Sequence, residues 1–210
     1  MTIKSWLAAI SLLCASTLCA PALAAPIRIV AFGDSLSAGY QLGPGEGFAD
    51  QLQAALRAKG HDVTVVNASV SGDTTSAGLA RLDWSIDPTA NAVIVELGAN
   101  DMLRGLDPTI PQKGLDTILA RLKERGLPVL LAGMQAAPNL GADYATKFNA
   151  IYPELAEKYG AVLYPFFLDG VAAQPGLRLA DGMHPNAAGV AVIVARILPS
   201  VEQLIAQVKP

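Results

Sequence analysis

Ile27-Arg28-Ile29-Val30-Ala31-Phe32-Gly33-Asp34-Ser35-Leu36-Ser37-Ala38-Gly39-Tyr40 passes from an apolar run to small and polar residues that carry a serine. A short run without inside/outside alternation reads as a strand covered on both faces, the pattern of a parallel sheet. In such a sheet the loops leaving the carboxyl ends of the strands form the ligand crevice, so a nucleophile is expected where this strand ends. Gly33 is read as leaving open the approach to Ser35, because glycine carries no side chain to stand in the way.

The same alternation continues to the end of the chain. Strands are expected at Ile27–Phe32, Asp62–Asn67, Ala92–Leu97, Pro128–Met134 and Ala161–Tyr164. Between them, Phe48, Leu52, Ala55 and Leu56 share one helical face that stops at Gly60, and Leu115, Ile118, Leu119 and Leu122 share another before Gly126, glycines placed as C-terminal caps. Tyr144–Tyr159 reads as a further helix and Asn186–Val208 as the last, with a kink or restart expected at Pro199. No internal repeat of fixed period interrupts the series. The fold class that follows is α/β with a five-stranded parallel sheet.

Upstream of the quoted stretch, Lys4 precedes the apolar run Trp6 to Leu18 and then Ala22-Leu23-Ala24, whose small residues occupy the −3 and −1 positions of a cleavage site. This reads as a secretory signal peptide over residues 1–24, too short to span a membrane, followed by one domain over 25–210. Both cysteines, Cys14 and Cys19, fall in the leader, so the mature chain offers no thiol nucleophile, disulfide or thiolate metal site. A formal net charge of −3 with no basic patch argues against nucleic acid and anionic membrane surfaces as partners. The expected product is periplasmic or secreted, not inserted in a membrane after cleavage, and monomeric.

Four polar blocks interrupt the apolar pattern: Gly33-Asp34-Ser35-Leu36, Ser69-Val70-Ser71-Gly72-Asp73, Gly98-Ala99-Asn100-Asp101 and Asp181-Gly182-Met183-His184-Pro185. Each follows an expected strand or precedes the last helix, so a parallel sheet gathers them on one edge. A serine hydroxyl needs a base to take its proton, and the chain has two histidines. His61 precedes a strand and falls on the opposite edge, which leaves His184. Asp181, three residues earlier, is close enough to orient the imidazole and stabilise its protonated form. Acyl transfer also develops negative charge on the carbonyl oxygen, and the backbone N–H groups of Ser35 and Gly72 with the side-chain amide of Asn100 are the donors available on that edge.

Other residues of these blocks have plainer roles. Asp34, Asp73 and Asp101 read as turn and cap residues. Glu96 is the one charge inside an apolar strand and needs a partner, for which Arg81 is the candidate. Met102, Leu103 and Leu106 either line an acyl pocket or pack on the sheet.

The blocks resemble those of the SGNH, or GDSL, hydrolase superfamily, with Ser35, Gly72, Asn100 and His184 as its four namesakes. The likeness extends through Val65-Val66-Asn67-Ala68-Ser69, Ser71-Gly72-Asp73-Thr74, Gly78-Leu79-Ala80-Arg81-Leu82, Val95-Glu96-Leu97-Gly98 and Asp181-Gly182-Met183-His184-Pro185-Asn186, and is greatest to the branch of periplasmic thioesterases, lysophospholipases and arylesterases. It implies a three-layer α/β/α flavodoxin-like fold and hydrolysis of small acyl esters or thioesters through an acyl-serine, with no cofactor and no metal. It also implies mobile acyl-binding loops near Met102–Asp107 and Ala136–Asp143. The third block departs from the pattern, with Ala99 where a second glycine is expected. A polysaccharide acetylesterase would share the blocks, and a non-catalytic binding module would use the same crevice without turnover.

Overall fold

The computed structural model describes residues 25–209, so the segment 1–24 read as a signal peptide lies outside the described residues. Strand β1 (Ile27–Gly33) leads into the one-turn helix α1 (Ser35–Ala38), then α2 (Phe48–Ala58), β2 (Val63–Asn67), α3 (Thr75–Ser85), β3 (Ala92–Glu96) and α4 (Ala99–Leu103). The second half contains α5 (Thr109–Glu124), β4 (Val129–Ala132), α6 (Ala142–Tyr159), β5 (Val162–Tyr164) and α7 (Ala187–Ala206). All five strands are parallel, in the order β2-β1-β3-β4-β5. Each expected strand is present, with its ends shifted by a residue or two.

The missing alternation in β1 and β3 has its cause in the layers. α2 packs with α7 along one face of the sheet, while α3, α5 and α6 pack in sequence along the other. Ile29, Val30, Ala31 and Phe32 are therefore all buried, as is every residue of β3. The apolar faces read from sequence supply the contacts, Phe48, Leu52 and Leu56 from α2 and Leu115, Ile118, Leu119 and Leu122 from α5.

After β1 the chain moves outward to β2, then crosses β1 to build β3 on its other side. Loops leaving the carboxyl ends of β1 and β3 therefore diverge, and the crevice opens between them. Gly33 and Glu96, the last residues of these two strands, stand opposite one another in the register.

Two helices differ from expectation. α3 carries little apolar periodicity, and its buried residues are Thr75, Gly78, Arg81 and Leu82, so a hydrophobic pattern does not announce it. α7 runs without interruption from Ala187 to Ala206 with Pro199 inside it. Pro199 and Ala195, whose carbonyl loses its N–H partner, both lie on the exposed side, where water replaces the bond, while Ile197 and Val201 remain buried. This helix is long and apolar enough to cross a membrane, yet Val190, Ile193, Val194, Ile197, Val201 and Leu204 are buried in the fold, against α2, β4 and β5.

Candidate active site

Ser35 opens α1 directly after β1, and Asp34 caps that turn by accepting the Leu36 N–H on Oδ1 at 3.0 Å. From the far end of the chain, the loop before α7 returns to the same edge. An antiparallel bridge between Arg178 and Pro185, a Leu179 N–H bond to the His184 carbonyl and an Arg178 Nη1 bond to the Gly182 carbonyl close this loop. Asn186 then caps α7 through the Gly189 N–H.

Inside the loop, Asp181 Oδ1 accepts the N–H groups of Met183 and His184, and Oδ2 lies 2.7 Å from His184 Nδ1. The Met183 N–H first, then the imidazole and the His184 N–H, hold this carboxyl down at about 2. An ionised Asp181 accepts only, so Nδ1 carries a proton and Nε2 of the neutral ring is an acceptor. Nε2 lies 2.8 Å from Ser35 Oγ. Residues 149 positions apart are thus joined in one relay from carboxylate to hydroxyl. His61 is on the far edge as expected, 3.2 Å from Glu202 of α7.

Ser35, Gly72, Asn100 and His184 share a cleft of about 500 Å³. Among the described residues, no acceptor within the protein takes the backbone N–H of Ser35 or of Gly72. Gly72 has φ of +88°, and a β-carbon there would meet nothing, so the backbone angle alone selects glycine. Gly72→Ala should therefore fold but lose about 1–2 kcal/mol of stability in urea unfolding, the strain of a non-glycine residue at that angle. The Asn100 amide is more constrained, since its Nδ2 donates to Asp34 Oδ2 and to the Asp73 carbonyl, both at 3.0 Å.

The chain matches the model of the GDSL-like lipase/acylhydrolase family over residues 31–192. The chain belongs to this family. Among its relatives, an arylesterase of Vibrio mimicus is 42% identical over 160 residues, which is 76% of this chain and 80% of that protein. A protein of Escherichia coli named thioesterase 1/protease 1/lysophospholipase L1 is 39% identical over 159 residues, 75% of each chain. The crystal structure of AlinE4, an SGNH-hydrolase family esterase, superposes with a TM-score of 0.72 at 48% identity, covering 85% of this chain and 96% of that one.

Membership of the family leaves several local expectations to correct. Gly33 does not clear a path to Ser35, because a β-carbon there would point inward and overlap Ser37 Oγ and Glu96. Arg81 does not pair with Glu96. Its guanidinium donates to Asp73 Oδ2, to the Ala68 carbonyl and to the Gly33 carbonyl, and stacks 4.2 Å above the Phe32 ring. That set of bonds ties the Gly72 loop to the end of β1. Asp101 is a cap from a distance, accepting the Thr75 N–H and hydroxyl at the start of α3.

Ala99 in place of a second glycine begins α4 behind Gly98 and leaves the Asn100 amide at the cleft. Tyr40, which no sequence motif singles out, has its ring centroid 4.4 Å from that of His184, where it packs on the imidazole. Its signal was position, six residues after Asp34 in the quoted stretch. Met102 both packs and lines the cleft, Leu103 lines it while exposed, and Leu106 does neither from the wall. Met134, Leu168 and Ala172 complete the apolar wall where Ala136–Asp143 was expected.

Proposed function

We propose that this ester hydrolase works through an acyl-enzyme on Ser35, with His184 as base and then acid, Asp181 as the orienting group, and Ser35, Gly72 and Asn100 as oxyanion donors. The observation that carries the reading is the unbroken relay from Asp181 through His184 to Ser35, at 2.7 and 2.8 Å. Ser35 Oγ forms a bond to the carbonyl carbon as its proton passes to Nε2, and the displaced π electrons move onto the carbonyl oxygen. Collapse expels an alcohol or thiol, which leaves with the proton from Nε2. Water next gives a proton to Nε2, attacks the acyl carbon and releases the acid, returning the proton to Ser35.

Oxygen esters and thioesters pass through the same tetrahedral oxyanion, so the relay admits both, and relatives named arylesterase and thioesterase support that breadth. Selection falls to the cleft, whose walls of Leu36, Met102, Leu103, Met134, Leu168 and Met183 suit an acyl chain. With residues 1–24 acting as an export signal, the substrates are lipid or xenobiotic esters met outside the cytosol, since acyl-CoA is a cytosolic compound.

The decisive experiment is incubation with a fluorophosphonate: a covalent adduct on Ser35 is expected, and its absence from active protein would remove the acyl-serine. A panel of p-nitrophenyl esters should show kcat/KM rising from acetyl to medium-length chains by about 0.8 kcal/mol per buried methylene until the wall is filled. A maximum at acetyl would instead favour a carbohydrate acetylesterase, and no turnover of any ester would favour a binding module.

A further inference from the structure

Behind the cleft wall lies a polar cluster that the hydrolytic relay does not use. Asp34 and Glu96 are 0% exposed and Ser37 is 1% exposed. The absent β-carbon of Gly33 makes the space that Ser37 Oγ and the Glu96 carboxyl occupy. Glu96 Oε2 also lies 3.4 Å from the Asp34 N–H, Oε1 is buried with no N–H or hydroxyl to accept from, and the Glu96 and Asp34 carboxyls are in side-chain hydrogen-bonding contact.

The protons of this cluster can be counted. Three oxygen-to-oxygen contacts run in series: Glu96 Oε2 to Ser37 Oγ at 2.9 Å, Ser37 Oγ to Ser69 Oγ at 2.9 Å, and Ser69 Oγ to the Ala31 carbonyl at 3.1 Å. Each contact needs one proton. The two hydroxyls supply two, and the carbonyl supplies none. All three are hydrogen bonds at once only when the Glu96 carboxyl carries a proton and donates it to Ser37, with Ser37 donating to Ser69 and Ser69 to the Ala31 carbonyl.

The surroundings agree with a neutral acid. No cation reaches Glu96, because Arg81 directs its N–H groups at Asp73, Ala68, Ser85 and Gly33, and an ionised carboxylate with a bare buried oxygen would be costly. The other groups facing the pair are His184 on the cleft side, Asp101 of α4, which is satisfied by Thr75, and Tyr152 of α6, which donates to the Leu97 carbonyl. Burial pushes the Asp34 carboxyl up to about 6, and burial together with the charge of Asp34 pushes Glu96 well above the ordinary range.

We propose that Glu96 is held as a neutral carboxylic acid, and that its neutrality keeps Asp34 as the anion that orients the Asn100 amide. Both are positioning residues, an assignment that rests on Asn100 being an oxyanion donor. The two acceptors on Asn100 fix which end of the amide is nitrogen. A bond to a carboxylate is about twice as strong as one to a neutral carbonyl. The N–H toward Asp34 therefore fixes the amide plane, and the N–H toward the Asp73 carbonyl is the one that a developing oxyanion shares. Asp34 itself is not in the cleft wall, so its charge sits behind the amide rather than against the substrate.

Asp34→Asn tests the orienting role. Asparagine still caps α1 through Leu36, but its own NH2 meets the NH2 of Asn100, donor against donor. Expected is a loss of about 10²-fold in kcat, in the range for one oxyanion donor, with KM changed less than about threefold and the melting temperature retained. The acid limb of log kcat/KM carries a contribution from protonation of Asp34 in the wild type, and that contribution is missing in the variant.

Infrared difference spectra at about pH 8 test the proton directly, with a protonated-carboxyl C=O band expected in the wild type and missing in Glu96→Gln. No such band, or one that survives in Glu96→Gln, overturns the neutral acid, and this readout stands even if Asp34→Asn does not fold. Wild-type kcat in Asp34→Asn beside an inactive Ser35→Ala overturns the orienting role alone. An active Ser35→Ala overturns the catalytic reading on which it rests.

Discussion

Ser35→Ala and His184→Ala are each expected to lower kcat on a short aryl ester by about 10⁴- to 10⁶-fold, with the fold intact. The size follows from their joint action, since a hydroxyl without its base is a poor nucleophile and a base without the hydroxyl has nothing to activate. The double variant should accordingly be no slower than the worse single one, because the two groups supply one step and their losses do not add. Residual turnover would come from the oxyanion donors and from binding. Ser35→Ala leaves the cap of α1, which uses Asp34 and the Leu36 N–H, and His184→Ala removes one side-chain bond to Asp181 while the Leu179 N–H bond to the residue-184 carbonyl, the Arg178–Pro185 bridge and the N–H bonds to Asp181 still close the loop. Circular dichroism and melting temperature should therefore match the wild type while p-nitrophenyl butyrate hydrolysis disappears. Either variant retaining even a tenth of the wild-type rate would dissolve the relay.

The residues in direct contact across the cleft were readable because chemistry limits them severely. With two histidines in the chain and one on the wrong edge of the sheet, His184 followed by elimination, and Asp181 by its spacing of three. Parallel strands without alternation gave the sheet, and a parallel sheet brings its carboxyl ends together whatever the separation in sequence. What escaped was everything that depends on packing geometry. A glycine at position 33 suggests an open approach to Ser35, but whether its missing β-carbon points outward or toward Glu96 depends on the twist and register of β1 against β3.

Opposite charge makes Arg81 the candidate partner of Glu96, yet its guanidinium bonds Asp73 and two carbonyls, and Glu96 bonds a serine. α3 escaped for a related reason. Its inward positions hold a threonine, a glycine and an arginine, residues used for close approach and for bonding the neighbouring loops rather than for an apolar stripe. Pro199 failed as a helix stop because its cost depends on which face loses the hydrogen bond, and periodicity alone could not say that this face was wet.

Asp181→Asn separates orientation from nucleophile and base, and the loss expected is about 10³- to 10⁴-fold in kcat. Asparagine can keep the loop, because its Oδ1 replaces the oxygen that takes the Met183 and His184 N–H groups. Its nitrogen then occupies the place of Oδ2, 2.7 Å from His184 Nδ1, where two donors cannot face one another. The neutral ring must place its proton on Nε2 instead, and Nε2–H directed at Ser35 Oγ cannot accept the hydroxyl proton.

The Asp181 side chain is 30% exposed, so water partly satisfies the misdirected groups and the loss should fall at or below the value for a fully buried carboxylate. Stability gives an independent check with a definite sign. The folded-state carboxyl lies at about 2, below the ordinary 3.8, so its contribution to stability is complete above the unfolded value and is lost as pH falls through about 2. Asparagine does not titrate, so the melting temperature of Asp181→Asn relative to the wild type should rise as pH is taken from about 5 toward 2. A variant that lost activity with no such convergence would mean that Asp181 ionisation is not what the loop's hydrogen bonds hold in place.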